Sequence, residues 1–143
     1  MKFKRLYADA RAPTRGSKEA AGWDLYAHLP HEKAVIHPYG TMVIGTGVAF
    51  QCPEGHFGAI YARSGLASKK GVRPRNCVGV LDADFRGEVL VYLYNDDDLA
   101  HEIKDGDRIA QIVFQPYNKE EMEEVDELDA TERGEGGFGS TGR

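Results

Sequence analysis

The segment Gly87-Glu-Val-Leu-Val-Tyr-Leu-Tyr94 is rich in β-branched and aromatic residues and runs directly into Asn95-Asp-Asp-Asp98. This composition, closed by a polar turn, predicts a β-strand. Period-2 patterns recur in Thr41–Phe50, Phe57–Tyr61 and Asp107–Phe114, and we expect one strand in each. The two glycines in the first of these three predict a bend or bulge. Short strands separated by Gly and Pro turns are typical of a sandwich or closed barrel, so the chain is predicted to be all-β.

One short helix is predicted at Ser64-Gly-Leu-Ala-Ser-Lys-Lys-Gly71, directly after a strand. We expect Ser64 to be its N-cap, the two lysines to lie in its last turn and Gly71 to end it. Arg63, the Ser64 hydroxyl and the first N–H groups of the helix would together attract an anion. A capped helix beside an ordinary surface arginine fits the same residues.

Charge is distributed unevenly along the 143 residues, whose formal net charge is −5. The segment Lys119–Glu135 holds nine acidic and two basic residues, a net −7, so the rest of the chain carries the difference of +2. No basic stripe is present, which argues against a nucleic-acid-binding protein. The 41% hydrophobic content is sufficient for one domain with a buried core.

The compartment is predicted from the cysteines and the apolar segments. Cys52 and Cys77 are the only two cysteines and lie far apart, which argues against a disulfide framework or a zinc site and favours a reducing compartment. The segment Met1–Tyr7 is charged from its second residue, and no segment approaches the ~20 apolar residues of a membrane helix. We therefore expect a soluble intracellular protein that binds no membrane.

Two carboxylates follow closely in Gly79-Val-Leu-Asp-Ala-Asp-Phe-Arg-Gly87. On an extended segment, Asp82 and Asp84 would point to the same side, next to the ring of Phe85. A carboxylate held beside a bound phosphate can take a proton from water. A polar hairpin turn explains the same spacing.

The C-terminal segment has a different composition from the rest. Gly134-Glu-Gly-Gly-Phe-Gly-Ser-Thr141 has the spacing of a phosphate loop, with Ser140 where such a loop has lysine. No βα unit precedes it, which excludes an ordinary P-loop NTPase. Phe138 has no core to join and is suited to stacking on a base. A flexible solubilising tail is the alternative, and in either case we expect the free tail to be mobile.

Five segments in this order resemble the motifs of the homotrimeric dUTPase (deoxyuridine triphosphate nucleotidohydrolase) family. They are Ala21–Ala27, in which Trp23 replaces the more usual Tyr, Arg63–Ala67, Asn76–Gly87, Gly106–Gln111 and Arg133–Thr141. One such motif would be weak evidence, whereas five in order with compatible gaps are strong.

The resemblance implies a role for particular residues. Asp82 matches the carboxylate that activates the attacking water, and Phe85, usually Tyr in the family, packs against the deoxyribose. Asp24 matches an acid that supports the site and its metal indirectly. The remaining positions match substrate contacts: Asn76, Gly79, Val80 and Leu81 for uracil; Arg63, Ser64, Gly65 and Gln111 for the phosphates; Arg133 for the γ-phosphate; and Phe138, Gly139 and Ser140 for the covering tail.

The resemblance also implies a fold, a reaction and an assembly. The fold is a distorted jelly-roll β-barrel, with residues 1–118 as the hydrolase domain, 119–132 as an acidic connecting arm and 133–143 as the glycine-rich tail. The reaction is hydrolysis of dUTP to dUMP and pyrophosphate with Mg²⁺ on the triphosphate, which keeps uracil out of DNA and supplies dUMP for thymidylate synthesis. Three chains would share each active site, the tail arriving from a neighbouring subunit.

Two other functions remain open at this point. One is a dCTP deaminase or bifunctional deaminase–diphosphatase of the same fold, although no motif places a carboxylate at the base. The other is a regulatory nucleotide-binding trimer without catalysis. The location is expected to be cytoplasmic, or inside the host cell for a viral source.

Overall fold

The structure is a computed structural model that describes residues 1–137. It contains one helix, α1 (Ser64–Lys70), and the other regular elements are strands, as the sequence predicts. In chain order the strands are β1 (Lys2–Arg5), β2 (Trp23–Tyr26), β3 (Lys33–Ile36), β4 (Thr41–Gly45), β5 (Val48–Gln51), β6 (His56–Tyr61), β7 (Val72–Pro74), β8 (Gly79–Leu81), β9 (Leu90–Asn95), β10 (His101–Lys104) and β11 (Arg108–Pro116).

The strands form four antiparallel sheets. The largest has the order β2-β11-β6-β8, and a three-stranded sheet has the order β4-β9-β7. Two pairs, β1-β5 and β10-β3, complete the fold. Because non-consecutive strands are neighbours in every sheet, the chain crosses between sheets repeatedly, and the result is the distorted jelly roll expected for this sequence.

The core lies between the sheets and is built from alternate residues of the strands. In β9, Val91 and Leu93 are buried while Leu90 and Tyr92 face outward. The strand ends on Asn95, which is fully buried. Its Nδ2 donates to the carbonyls of Ile36 at the end of β3 and of the loop residues His37 and Leu99, the closest being Leu99 at 2.7 Å. The buried amide is therefore satisfied, and it fixes the acidic turn that follows.

The segment Thr41–Phe50 is two strands and not the single bent strand that its pattern predicts. The strand β4 pairs with β9, whereas β5 pairs with β1 in a different sheet. The chain changes sheet at Gly47, whose φ of +66° favours glycine. Its N–H donates to Oε1 of Glu88 at 2.7 Å, and this bond supports the break.

The helix has the predicted length, but its cap differs from the prediction. Arg63 and not Ser64 is the N-cap, and no side chain caps the first turn. At the other end Gly71 adopts the left-handed conformation, with φ +61°, and its N–H donates to the Ala67 carbonyl, so glycine ends the helix as expected. No helix among residues 1–137 is long and apolar enough to span a membrane.

Candidate active site

The first part of the site is the segment Asn76–Phe85, which contains β8 and most of the loop that joins it to β7 in a different sheet. Asn76, Gly79, Val80, Leu81, Asp82 and Phe85 all line one cleft of about 250 Å³. Gly79 is buried against β6, where a methyl group on it would stand 3.2 Å from Cβ of Ile60. The strand β8 is therefore packed closely onto β6, and the residues predicted to recognise the base lie together.

The loop between β7 and β8 contains a tight turn centred on Cys77. The Val78 N–H donates to the Asn76 carbonyl at 2.6 Å, and Cys77 has a φ of +62°. This is the strained form of the γ-turn, which a non-glycine residue rarely adopts. The strained turn fixes the direction of the chain directly after Asn76.

Asp82 stands at the end of β8, where the chain turns. The Phe85 N–H donates to the Asp82 carbonyl at 3.2 Å. Nη1 of Arg86 donates to the carbonyls of Ala83 and Phe85 at 2.7 and 2.8 Å. The two aspartates therefore belong to a braced turn, which is the alternative interpretation of their spacing, and not to one face of an extended segment. Within residues 1–137 the exposed Asp82 carboxylate accepts no side-chain hydrogen bond and makes no ion pair.

The second part of the site is built around the buried carboxylate of Asp24 on β2. Nε of Arg63 donates to its Oδ1 at 2.7 Å, and Nη1 of Arg108 donates to its Oδ2 at 3.2 Å. Asp24 is only 8% exposed, so each of its oxygens is committed to one guanidinium group. Three of the five motifs thus meet at one carboxylate. Arg108 is not among the residues predicted from the sequence. Its place in the segment Gly106–Gln111 is the signal that could have identified it.

Gln111 holds the segment that leads into the helix. Its Nε2 donates to the Ala62 carbonyl at 2.9 Å, and on β11 the residue pairs with both Asp24 and Tyr61. A methyl group on Gly22 would stand 2.9 Å from Oε1 of this glutamine. The glutamine amide therefore positions the residue that precedes Arg63.

Arg63 and Arg108 line a separate cleft of about 280 Å³, together with Gly65, Lys70 and four residues of β10 and the turn after it. Ser64 is exposed at the first position of the helix. Among the acids of this cleft is Glu102, and the Lys33 ammonium, 2.7 Å away, holds the pKa of its carboxyl below the usual range. Among residues 1–137, none lines both this cleft and the one lined by Asn76, Asp82 and Phe85.

The acidic arm 119–132 has no regular secondary structure and stands away from the core, with Met122 and Leu128 almost fully exposed. At its end Nε of Arg133 donates to the Gly136 carbonyl at 2.7 Å, within its own turn. The predicted contacts Phe138, Gly139 and Ser140 lie outside the described residues. The part of the tail that is described therefore makes no contact with either cleft of its own chain.

The sequence matches a known protein family over most of its length. A family model described as dUTPase matches residues 8–142. The chain belongs to the dUTPase family. Its relatives in the family include the deoxyuridine 5'-triphosphate nucleotidohydrolase of Nautilia profundicola, which is 46% identical over all of this chain and 99% of its own length. That of Desulfitobacterium hafniense is 48% identical over 92% of this chain and 87% of its own length.

A solved dUTPase has the same fold over nearly the whole chain. The dUTPase of Staphylococcus bacteriophage 80alpha, solved with dUPNHPP, superposes with a TM-score of 0.89 at 32% identity, covering 99% of this chain and 98% of its own. A mutant dUTPase from phage phi11 of S. aureus, described as coordinating a structural Mg(II) ion, has a TM-score of 0.79 at 28% identity and covers 89% and 97% of the two chains.

Proposed function

We propose that this member of the dUTPase family hydrolyses dUTP to dUMP and pyrophosphate, with Asp82 as the residue that activates water. The observation that carries the proposal is that Asn76, Asp82 and Phe85 line one cleft together. An amide suited to recognising the base, a carboxylate and an aromatic ring thus line one cleft.

In the proposed reaction a water molecule attacks the α-phosphorus. The bond between this phosphorus and the oxygen that bridges it to the β-phosphate breaks. Asp82 orients this water and accepts its proton, so that pyrophosphate leaves on the side opposite to the attack. The carboxylate suits this task because it is exposed, lines the cleft and is not held in an ion pair by the described residues.

The triphosphate would be held by Arg63, Ser64, Gly65 and Gln111, as the family motifs imply, with Arg133 on the γ-phosphate. The support in the structure is the guanidinium of Arg63, which Asp24 holds through Nε and which thereby keeps its two terminal nitrogens for an anion. Gly65 adds an open backbone, since a methyl group there would meet no atom within 4 Å.

Mg²⁺ fits this chain as a companion of the substrate. In residues 1–137 no three His, Cys, Asp or Glu side chains come together in a metal-binding group, and both oxygens of Asp24 accept from arginines. A magnesium ion bound mainly by substrate phosphates requires few protein ligands. It neutralises phosphate charge, and Asp24 would support it indirectly, through Arg63.

Phe85 would pack against the deoxyribose and leave no space for a 2′-hydroxyl group. It keeps the ring of the more usual tyrosine and lacks only the phenol oxygen. Selectivity for deoxyribose by exclusion therefore needs no hydrogen bond from this residue, and we expect it to persist.

The active assembly would be a homotrimer with shared sites. Two observations support this. The residues for the base line one cleft, whereas Arg63 and Gly65, two of the residues for the phosphates, line another cleft of the same chain. The outer face of the β4-β9-β7 sheet also exposes Val43, Leu90 and Tyr92. Joining copies would bring both clefts to one substrate and cover the apolar face. The arm 119–132 would carry the tail to the neighbouring subunit.

We place this enzyme in solution in the cytoplasm, or in the host cell for a viral source. The support is that Cys52 and Cys77 are both free thiols, which suits a reducing compartment.

A pyrophosphate-release assay with dUTP, dCTP, dTTP and UTP, each with and without Mg²⁺, tests the function. We expect rapid release from dUTP with Mg²⁺ and little from the other three nucleotides. Ammonia release from dCTP would identify a deaminase instead, and nucleotide binding without any product would identify a regulatory protein.

A further inference from the structure

The ring of Phe85 lies directly against the backbone at Gly87. A methyl group built on Gly87 would stand 2.6 Å from Cζ of this ring, 3.1 Å from Cε2 and 3.3 Å from Cε1. Carbon atoms in good contact are about 3.5–4.0 Å apart, so the outer edge of the ring occupies the space that any side chain at position 87 would need.

The turn that carries Phe85 is fixed, whereas its ring is not enclosed. The backbone is held by the N–H bond to the Asp82 carbonyl and by Nη1 of Arg86 on the Phe85 carbonyl. The side chain is 45% exposed, so the ring has room to turn away from the chain. A side chain at position 87 would therefore displace the ring and leave the turn in place.

We propose that Gly87 is a specificity-determining residue, because its lack of a side chain sets the position of the Phe85 ring. This inference rests on the proposed role of Phe85 against the deoxyribose. Gly87 is a positioning residue that makes no substrate contact of its own. A displaced ring fits dUTP less well, whereas UTP has no such fit to lose, so the preference for dUTP over UTP must fall.

Gly87→Ala is the variant that tests this inference. The backbone of Gly87 is not among the positive-φ glycines, so alanine is free to adopt it. We expect the ratio of kcat/KM for dUTP to that for UTP to fall about tenfold or more, the scale on which an apolar pocket discriminates one small group. Gly16→Ala is the matched control, because a methyl group there meets no atom within 4 Å, and it should keep the wild-type ratio.

A double variant separates a role through the ring from a direct role. If Gly87 acts only through Phe85, Phe85→Ala with Gly87→Ala will have the same ratio as Phe85→Ala alone. The inference would be overturned if the double variant had a ratio lower than that of Phe85→Ala by the same factor that Gly87→Ala alone produces. A wild-type ratio in Gly87→Ala would also overturn it. A wild-type ratio in Phe85→Ala would instead refute the sugar contact in the proposed function.

A readout without substrate completes the test. With 4-fluorophenylalanine at position 85, the ¹⁹F resonance should shift in Gly87→Ala and not in Gly16→Ala, while the thermal midpoint stays unchanged. An unshifted resonance would show that the ring does not depend on Gly87.

Discussion

At the scale of single residues, the site depends on how each charged side chain is held. The Asp82 carboxylate has no side-chain partner among the described residues, whereas Asp24 accepts with one oxygen from each of two arginines. The first arrangement suits a group that must exchange a proton, and the second suits a group that must keep others in position. Two aspartates of one chain thus have surroundings that suit the different roles proposed for them.

Replacing the uncommitted carboxylate removes the proton acceptor and leaves the cleft its shape. For Asp82→Asn we expect kcat to fall about 10²–10⁴-fold, the usual contribution of a general base, while nucleotide still binds. Pyrophosphate release and titration calorimetry with a non-hydrolysable analogue measure the two quantities. Asp84→Asn, in the same turn, is the control and should retain most of the rate. An unchanged kcat in Asp82→Asn would remove that residue from the role.

The second arginine on Asp24 is predicted to matter for phosphate binding. Losing a charge-assisted hydrogen bond of about 1.5–3 kcal/mol in Arg108→Gln releases one oxygen of Asp24 and with it the orientation of Arg63. We expect kcat/KM for dUTP to fall about tenfold or more, with partial recovery in Arg108→Lys. Steady-state kinetics check this against Arg5→Gln, which removes an exposed arginine of β1. Equal kinetics in both glutamine variants would contradict the prediction.

At the scale of elements, strands with a continuous β pattern were predicted well. Residues of β6, β9 and β11 were identified within a few positions because their own composition determines them. The break at Gly47 was not, because it depends on which distant strands pair with β4 and β5. Arg108 was missed for a related reason, since its partner is 84 residues away in the chain. Local patterns predict elements, and long-range pairing decides how they combine.

The break between β4 and β5 provides a stability test at this scale. In Gly47→Ala the new methyl group would stand 2.5 Å from Cβ of Ala10, on a backbone with φ +66°. The left-handed conformation alone costs about 1–2 kcal/mol for a residue with a Cβ, so the free energy of unfolding should fall by at least that amount. Urea denaturation measures it, with Gly16→Ala as the control. A midpoint equal to that of the control would show that the break tolerates a side chain.

At the scale of the whole molecule, the residues proposed to bind the base lie in a different cleft from Arg63 and Gly65, which are proposed to bind the phosphates. The motifs predicted each set of residues, and the structure groups most of them as expected within a set. The sequence could not predict that the residues for the base line one cleft while Arg63 and Gly65 line another. This arrangement depends on the pairing of β8 with β6 and on the position of the helix that follows β6. The arm and the part of the tail that is described, up to residue 137, line neither cleft of their own chain.

The tail is predicted to serve catalysis and not folding. A chain that ends at residue 132 keeps the helix and every strand found in residues 1–137, so it should assemble and melt like the full chain. Its kcat should be severely reduced because water is no longer expelled from the site. Light scattering gives the assembly state and the pyrophosphate assay gives the rate. Full activity in this truncated chain would disprove the covering role.

The separation of the two clefts has a genetic consequence when copies share their sites as proposed. A substitution at Arg63 would disable the active site whose base-binding residues come from a neighbouring subunit. A substitution at Asp82 would disable the site that contains the base-binding residues of its own subunit. In a cell that expresses both a normal and a faulty allele, mixed assemblies therefore outnumber wholly normal ones, and damage in one gene copy spreads to the product of the other.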